Sequence, residues 1–241
     1  MSAYVSAFEL FSIGVGPSSS HTVGPMRAGL DFAARLDSSV TRVRCVLYGS
    51  LGATGIGHGT PDAVVAGLGG HAPETVNPDA VRRLWTDWPL GGELLLGGTH
   101  PVPFAREDIE FAPRTRLPGH PNAMTLTAFD GENVVHEETY YSVGGGFIRR
   151  EGEEAAVRAA FPFVYSSAAE LLALCDEDHL SIAEAARRNE EALRTEAEVA
   201  AGLDAIWDAM AICVEAGLHA EGVLPGALRV KRRAGLIREQ L

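Results

Sequence analysis

The hydrophobic pattern of this chain changes character near Glu151, and that change limits the folds open to it. Upstream, short apolar runs are cut repeatedly by glycine and proline. Downstream, apolar residues recur at three-four spacing over long stretches. Residues 40–48 alternate, with Val43, Cys45 and Leu47 on one face and Arg42 and Arg44 on the other, and predict a strand. Residues 49–60 hold too many glycines for the interior of a helix or strand and read as a loop. Two short helices are expected over 61–68, capped by Thr60, and over 78–85, capped by Asn77. Residues 90–103 read as a broken connection. Strands are expected at 108–111, 122–129 and 134–143, the last two joined by the hairpin turn Asp130-Gly131-Glu132-Asn133. The expected class is α+β: an N-terminal mixed α/β domain with a small, partly antiparallel sheet, followed by an incomplete all-helical domain.

In the helical part, Ser166 is the expected cap of a helix over 168–175, and Ser181 with Glu184 has capping-box spacing. Leu203, Ile206, Trp207, Met210, Cys213, Val214 and Gly217 form one stripe and read as a packed face. That face needs cover, from the first domain or from further protein.

The stretch with most chemistry is Ser18-Ser19-Ser20-His21-Thr22-Val23-Gly24-Pro25, ahead of a helix on which Met26, Leu30, Ala33 and Ala34 share a face. One hydroxyl would serve as a cap. Three serines, a histidine and a threonine exceed that need. A helix N-terminus offers free N–H groups and partial positive charge, which suit a carboxylate or phosphate. We read the stretch as an anion-binding and catalytic loop. His58, in a glycine loop, and His120, in Gly119-His120-Pro121-Asn122, have the same Gly/Pro setting, so a site shared with His21 is expected. Asn122 offers an amide to a ligand. His71, His100, His136, His179 and His219 read as structural.

The formal net charge of -12 argues against nucleic acid or an anionic membrane as principal partner. No apolar run reaches membrane-spanning length and no secretion signal is evident, so a cytoplasmic location is expected. Cys45, Cys175 and Cys213 are far apart and read as reduced thiols. Dinucleotide, P-loop, zincin and nucleophile-elbow motifs are absent. Lys231 is the sole lysine, so Schiff-base chemistry would rest on it alone.

These pieces together resemble the iron–sulfur L-serine dehydratases. The resemblance is carried by residues 18–25, Gly57-His58-Gly59-Thr60, His120-Pro121-Asn122, Tyr141-Ser142-Val143-Gly144-Gly145-Gly146-Phe147-Ile148 and residues 224–234, with Ala227 where a second glycine is expected. It implies a β-type domain over 1–160 and the start of a helical, cluster-bearing α-type domain over 161–241. It implies a [4Fe–4S] cluster whose ligands lie outside this chain, because no cysteine here has the matching context and such centres need a set of thiolates. No residue here is therefore assigned to a metal. The chain resembles a truncated dehydratase, to be completed by the missing C-terminal region or a second subunit, in a homo-oligomer.

The implied reaction takes L-serine to aminoacrylate, then pyruvate and ammonia, with the cluster as Lewis acid and a protein base at Cα. Ser18, Ser19, Ser20 and Thr22 are expected at the substrate carboxylate, with His120 and Asn122 around the amino acid. His21, His58 and Lys231 are candidate bases. The alternative is a non-catalytic serine-binding regulatory module, since the family's β domain is similar to an allosteric domain of a phosphoglycerate dehydrogenase. A pyridoxal enzyme using Lys231 is the third reading.

Overall fold

A computed structural model describes residues 3–153, 160–224 and 229–240. The chain divides into two compact units, one of Met1–Phe11 with Ala155–Leu241, the other of Ser12–Glu154. The single helical turn α1 (Ala7–Leu10) groups with the first of these.

The unit Ser12–Glu154 opens with a π turn, Ser19–Val23, that runs directly into α2 (Gly24–Ala33). There follow β1 (Arg42–Tyr48), α3 (Gly49–Thr54), a 3-10 turn (Ile56–His58), α4 (Thr60–Leu68) and α5 (Pro78–Val81). Then come β2 (Glu93–Leu96), β3 (His100–Pro103), β4 (Ile109–Ala112), β5 (Ala123–Asp130), β6 (Asn133–Gly144) and β7 (Phe147–Arg150). Five strands form one sheet in the order β4-β1-β5-β6-β7, with β4 parallel to β1 and every other pair antiparallel. The fold is α+β.

β1 bears out the alternation: Val43, Cys45 and Leu47 are buried, while Arg42 and Arg44 are exposed. The buried face shares one core with Phe32 of α2, Val64 and Leu68 of α4, and Leu126 and Tyr140 of the neighbouring strands. Each such side chain contributes about 1.5–3 kcal/mol by leaving water. α2 and α4 cross closely because Gly29 and Gly67 stand at the contact; a Cβ on either would meet the other helix's backbone. The hairpin turn at 130–133 is also as expected, with Asp130 paired to Asn133.

Several expectations need correction. Residues 49–54 are helix α3 rather than loop, because burial of Leu51 outweighs glycine's poor helix propensity. Thr60 does not cap α4; Gly59 occupies the cap, and the Thr60 hydroxyl donates to the His21 carbonyl. α5 stops at Val81, since the N–H groups of Trp85 and Thr86 donate to Asp62 Oδ1 instead of extending the helix. Residues 90–103 contain the β2–β3 hairpin, whose Leu94, Leu96 and Val102 are buried.

The other unit carries α6 (Ala168–Glu177), α7 (Ile182–Glu191), α8 (Glu196–His219) and α9 (Ala234–Arg238). Phe163, Cys175 and Ala185 form its small core. Glu190, almost wholly buried, accepts from Tyr4 Oη at 2.6 Å, from the Ala7 N–H at 2.9 Å and from Arg194 at 2.8 Å. The Ser181–Glu184 capping box is present. Ser167, not Ser166, caps α6; Ser166 instead bonds the Glu170 carboxylate. The α8 stripe is not packed: Trp207 is 68% and Val214 61% exposed. Residue 154, and 225–228 including Ala227, lie outside the described residues. Among the described residues no helix is long and apolar enough to cross a membrane.

Candidate functional site

Ser18 marks the entrance to α2. Its backbone is extended, and its Oγ accepts from the His21 N–H at 3.2 Å, as an N-cap side chain does. Thr22 N–H and Val23 N–H both turn back to the Ser18 carbonyl, at 2.9 and 3.2 Å. Among the described residues this leaves the N–H groups of Ser19 and Ser20 without a partner, at the positive end of a continuous π and α helix. Ser19 is exposed and Ser20 partly so.

His21 stands between two hydroxyls. Its Nδ1 is 2.9 Å from Ser20 Oγ, and its Nε2 is 2.9 Å from Ser50 Oγ. Its carbonyl accepts from Thr60 Oγ1 at 2.5 Å, and the buried Thr22 Oγ1 donates to the His58 carbonyl at 2.8 Å. The 58–60 segment is thereby tied to the turn on both sides. The rings of His21 and His58 lie 4.8 Å apart, inclined at 41°. Burial pushes His21 below the usual imidazole range; His58 acts in the same direction, and the Ser50 backbone opposes both. His58 Nδ1 is 2.9 Å from the Thr54 carbonyl. A carbonyl only accepts, so Nδ1 holds the proton, and the neutral ring keeps its lone pair on Nε2.

The third loop joins through Ser50. The Ser50 N–H donates to the Pro121 carbonyl at 3.0 Å and the Gly49 N–H to the Thr115 carbonyl at 2.9 Å. Gly49 has φ +50°, and a Cβ there would run into the Pro121 carbonyl, so the approach requires glycine. His120 Nδ1 accepts from the Asn122 N–H at 3.1 Å, which puts the neutral ring's proton on Nε2. Burial, then the Arg149 charge, holds His120 below its ordinary range. Asn122 is fixed against β6 by the Ser142 N–H, which donates to its carbonyl at 2.9 Å. Ser142 is only 3% exposed; its Oγ lies against Gly24 and has no hydrogen-bond partner among the described residues.

The structure thus brings Ser18, Ser19, Ser20, His21, Thr22 and His58 together and links the His120–Asn122 turn to them through Ser50. It places Lys231 in the other unit, bridged to Val223. Sequence reasoning missed Ser50, Thr60 and Ser142 as members of this network. A serine directly after a strand's end was the available signal for Ser50.

The α+β domain thus presents a hydroxyl-rich helix entrance beside two imidazoles. Residues 6–153 match the serine dehydratase beta chain family, and the chain belongs to that family. It is similar to L-serine dehydratase 1 of Escherichia coli (strain K12), 43% identical over 246 residues, which is 98% of this chain and 54% of that protein. It is 47% identical over 242 residues to L-serine dehydratase of Streptomyces coelicolor, covering 95% of this chain and 53% of that protein. With L-serine dehydratase of Mycobacterium tuberculosis it shares 46% over 239 residues, 95% of this chain and 52% of that protein. The chain spans about half the length of the curated relatives it matches.

The cysteines here do not fit an iron–sulfur cluster. Cys45 is buried in the centre of β1, and burial pushes its thiol far above the thiolate-forming range. Cys175 lies in the core of the other unit, and Cys213 is exposed on α8. Among the described residues no group of three His, Cys, Asp or Glu side chains is placed to hold a metal ion.

Proposed function

We propose that this chain carries the amino-acid-binding and proton-abstracting part of an L-serine dehydratase, which converts L-serine through aminoacrylate to pyruvate and ammonia. The observation that carries the reading is the juxtaposition of two open N–H groups, at Ser19 and Ser20, with an imidazole whose Nε2 holds a lone pair, at His58. The substrate carboxylate takes the Ser19 and Ser20 N–H groups and the nearby serine hydroxyls, where the helix end favours negative charge. His58 Nε2 removes the Cα proton. The Cα–H electron pair becomes the C=C bond of aminoacrylate as the C–O bond breaks and hydroxide departs. Tautomerisation and hydrolysis then release ammonia and pyruvate.

His21 is the weaker base, since both its nitrogens already have hydroxyl partners. In this reading it holds the turn together, as Thr22 does through its bonds to Ser18 and His58. His120 and Asn122 border the amino acid. The [4Fe–4S] cluster implied by the resemblance belongs to protein outside this chain, and no step above passes through it. The enzyme works in the cytoplasm as a homo-oligomer, completed by the remaining helical region or by a second subunit.

The test is pyruvate release from L-serine after anaerobic reconstitution with iron and sulfide, on this chain alone and with a cysteine-bearing C-terminal partner. Activity only with the partner is expected. In the active assembly, His58→Ala and Ser20→Ala should cut turnover by about 100-fold or more, the usual scale for losing a general base or a preorganised donor, with little change in melting temperature. Near-normal turnover in both variants contradicts the site. L-serine binding with no turnover in any assembly would favour the regulatory module.

A further inference from the structure

We propose that Ser50 is a positioning residue of this site, holding the His21 ring by its Nε2 and tying three separate loops into one frame. The inference rests on the reading of the residue 18–22 turn as the substrate site, and concerns a residue that the sequence motifs leave out.

Ser50 is the second residue of α3, directly after β1, and it meets each neighbouring loop through a different atom. Its Oγ is 2.9 Å from His21 Nε2, its N–H donates to the Pro121 carbonyl at 3.0 Å, and its carbonyl accepts from Thr54 Oγ1 at 3.0 Å. Thr54 in turn offers its own carbonyl to His58 Nδ1 at 2.9 Å. The serine turn, the His58 segment and the His120–Asn122 turn therefore share one anchoring residue. Gly49 makes this possible, since its left-handed backbone lets Ser50 approach Pro121.

The hydroxyl has a second consequence. A neutral His21 presents one donor and one acceptor, and it has a hydroxyl at each nitrogen. If Nε2 donates to Ser50, Nδ1 accepts from Ser20; if Ser50 donates to Nε2, Nδ1 donates to Ser20. The state of Ser50 thus decides whether Ser20, one of the substrate-facing serines, acts as donor or acceptor. His58 is the ionisable side chain beside His21; the other groups bonded to this turn's side chains and backbone are the hydroxyls of Ser18, Ser20, Ser50 and Thr60 and the His58 carbonyl. The Ser50 backbone raises the proton affinity of His21 against burial and against His58.

The experiment follows His21 by 15N-imidazole NMR as a function of pH, on the 241-residue chain without ligand. Ser50→Ala should move the His21 Nε2 resonance and change the balance of its two neutral tautomers, while Ser50→Thr, which keeps the hydroxyl, stays close to the parent. Ser20→Ala should perturb Nδ1 instead, which supplies the check if Ser50→Ala fails to fold. Unchanged His21 ring-nitrogen shifts in a folded Ser50→Ala chain would overturn the proposal, whatever happens to the melting temperature. Adding L-serine afterwards separates the two readings. Coupling of Ser50 to His21 without any serine response would leave this proposal standing and count against the substrate site.

Discussion

The helices of the two units make opposite use of similar residues. On α2 and α4 apolar side chains share a core with a sheet, and Phe32, Val64 and Leu68 are fully buried. On α8 an apolar stripe of the same periodicity leaves Trp207 68% and Val214 61% exposed. Periodicity tells which residues require cover; it does not tell whether cover is at hand. In the Ser12–Glu154 unit the cover is a sheet whose far strands are sixty or more residues away in sequence, and its rigidity positions the loops that carry chemistry.

The largest expected effect breaks that contrast at its centre. Leu126→Ala, in the middle of β5, should cost about 2–5 kcal/mol in a denaturant melt, because the close-packed core cannot fill the space. A loss below 1 kcal/mol would mean that the sheet–helix core is looser than described.

A smaller effect sharpens the account at the core's polar edge. Tyr140 Oη donates to Asp31 at 2.8 Å and Arg35 bonds the same carboxylate at 3.0 Å. Burial alone would raise Asp31, but the bonds from Arg35 and Tyr140 hold it below its usual value. Its stabilisation is therefore complete above the unfolded value, near about pH 4, and is lost as pH falls through the lower folded value. Asp31→Asn should cost about 1 kcal/mol near neutral pH, allowing for solvent screening, and little at pH 2. A penalty independent of pH would contradict the charge-based account.

The smallest effect lies on α8. Trp207→Ala in this chain should change stability by no more than about 0.5 kcal/mol, the range of exposed positions. A loss comparable to Leu126→Ala would show that the stripe is packed after all.

Much of the Ser12–Glu154 unit was legible because its signals are local. The alternation at Val43, Cys45 and Leu47 and the turn at Asp130–Asn133 need no knowledge of distant residues. Residues 49–54 were not legible as helix, because their stability comes from burying Leu51 and from Gly49 meeting Pro121. The site divides the same way. Ser18 to Thr22 and His58 stand out by composition. Ser50 and Thr60 belong to the network only through contacts with His21, 29 and 39 residues away in sequence. Trp207 and its neighbours show the converse: a sound local pattern marks a face that needs cover, and the described residues leave it exposed.

The central claim is that the Ser19–Ser20 helix entrance receives an amino acid beside His58. Backbone amide NMR of this chain, titrated with L-serine, tests it most directly. The account predicts the largest shifts at Ser19, Ser20 and His21, accompanied by His58 and Asn122, and their loss in Ser20→Ala. Shifts confined to other surfaces, or no response to L-serine at these residues, would contradict it.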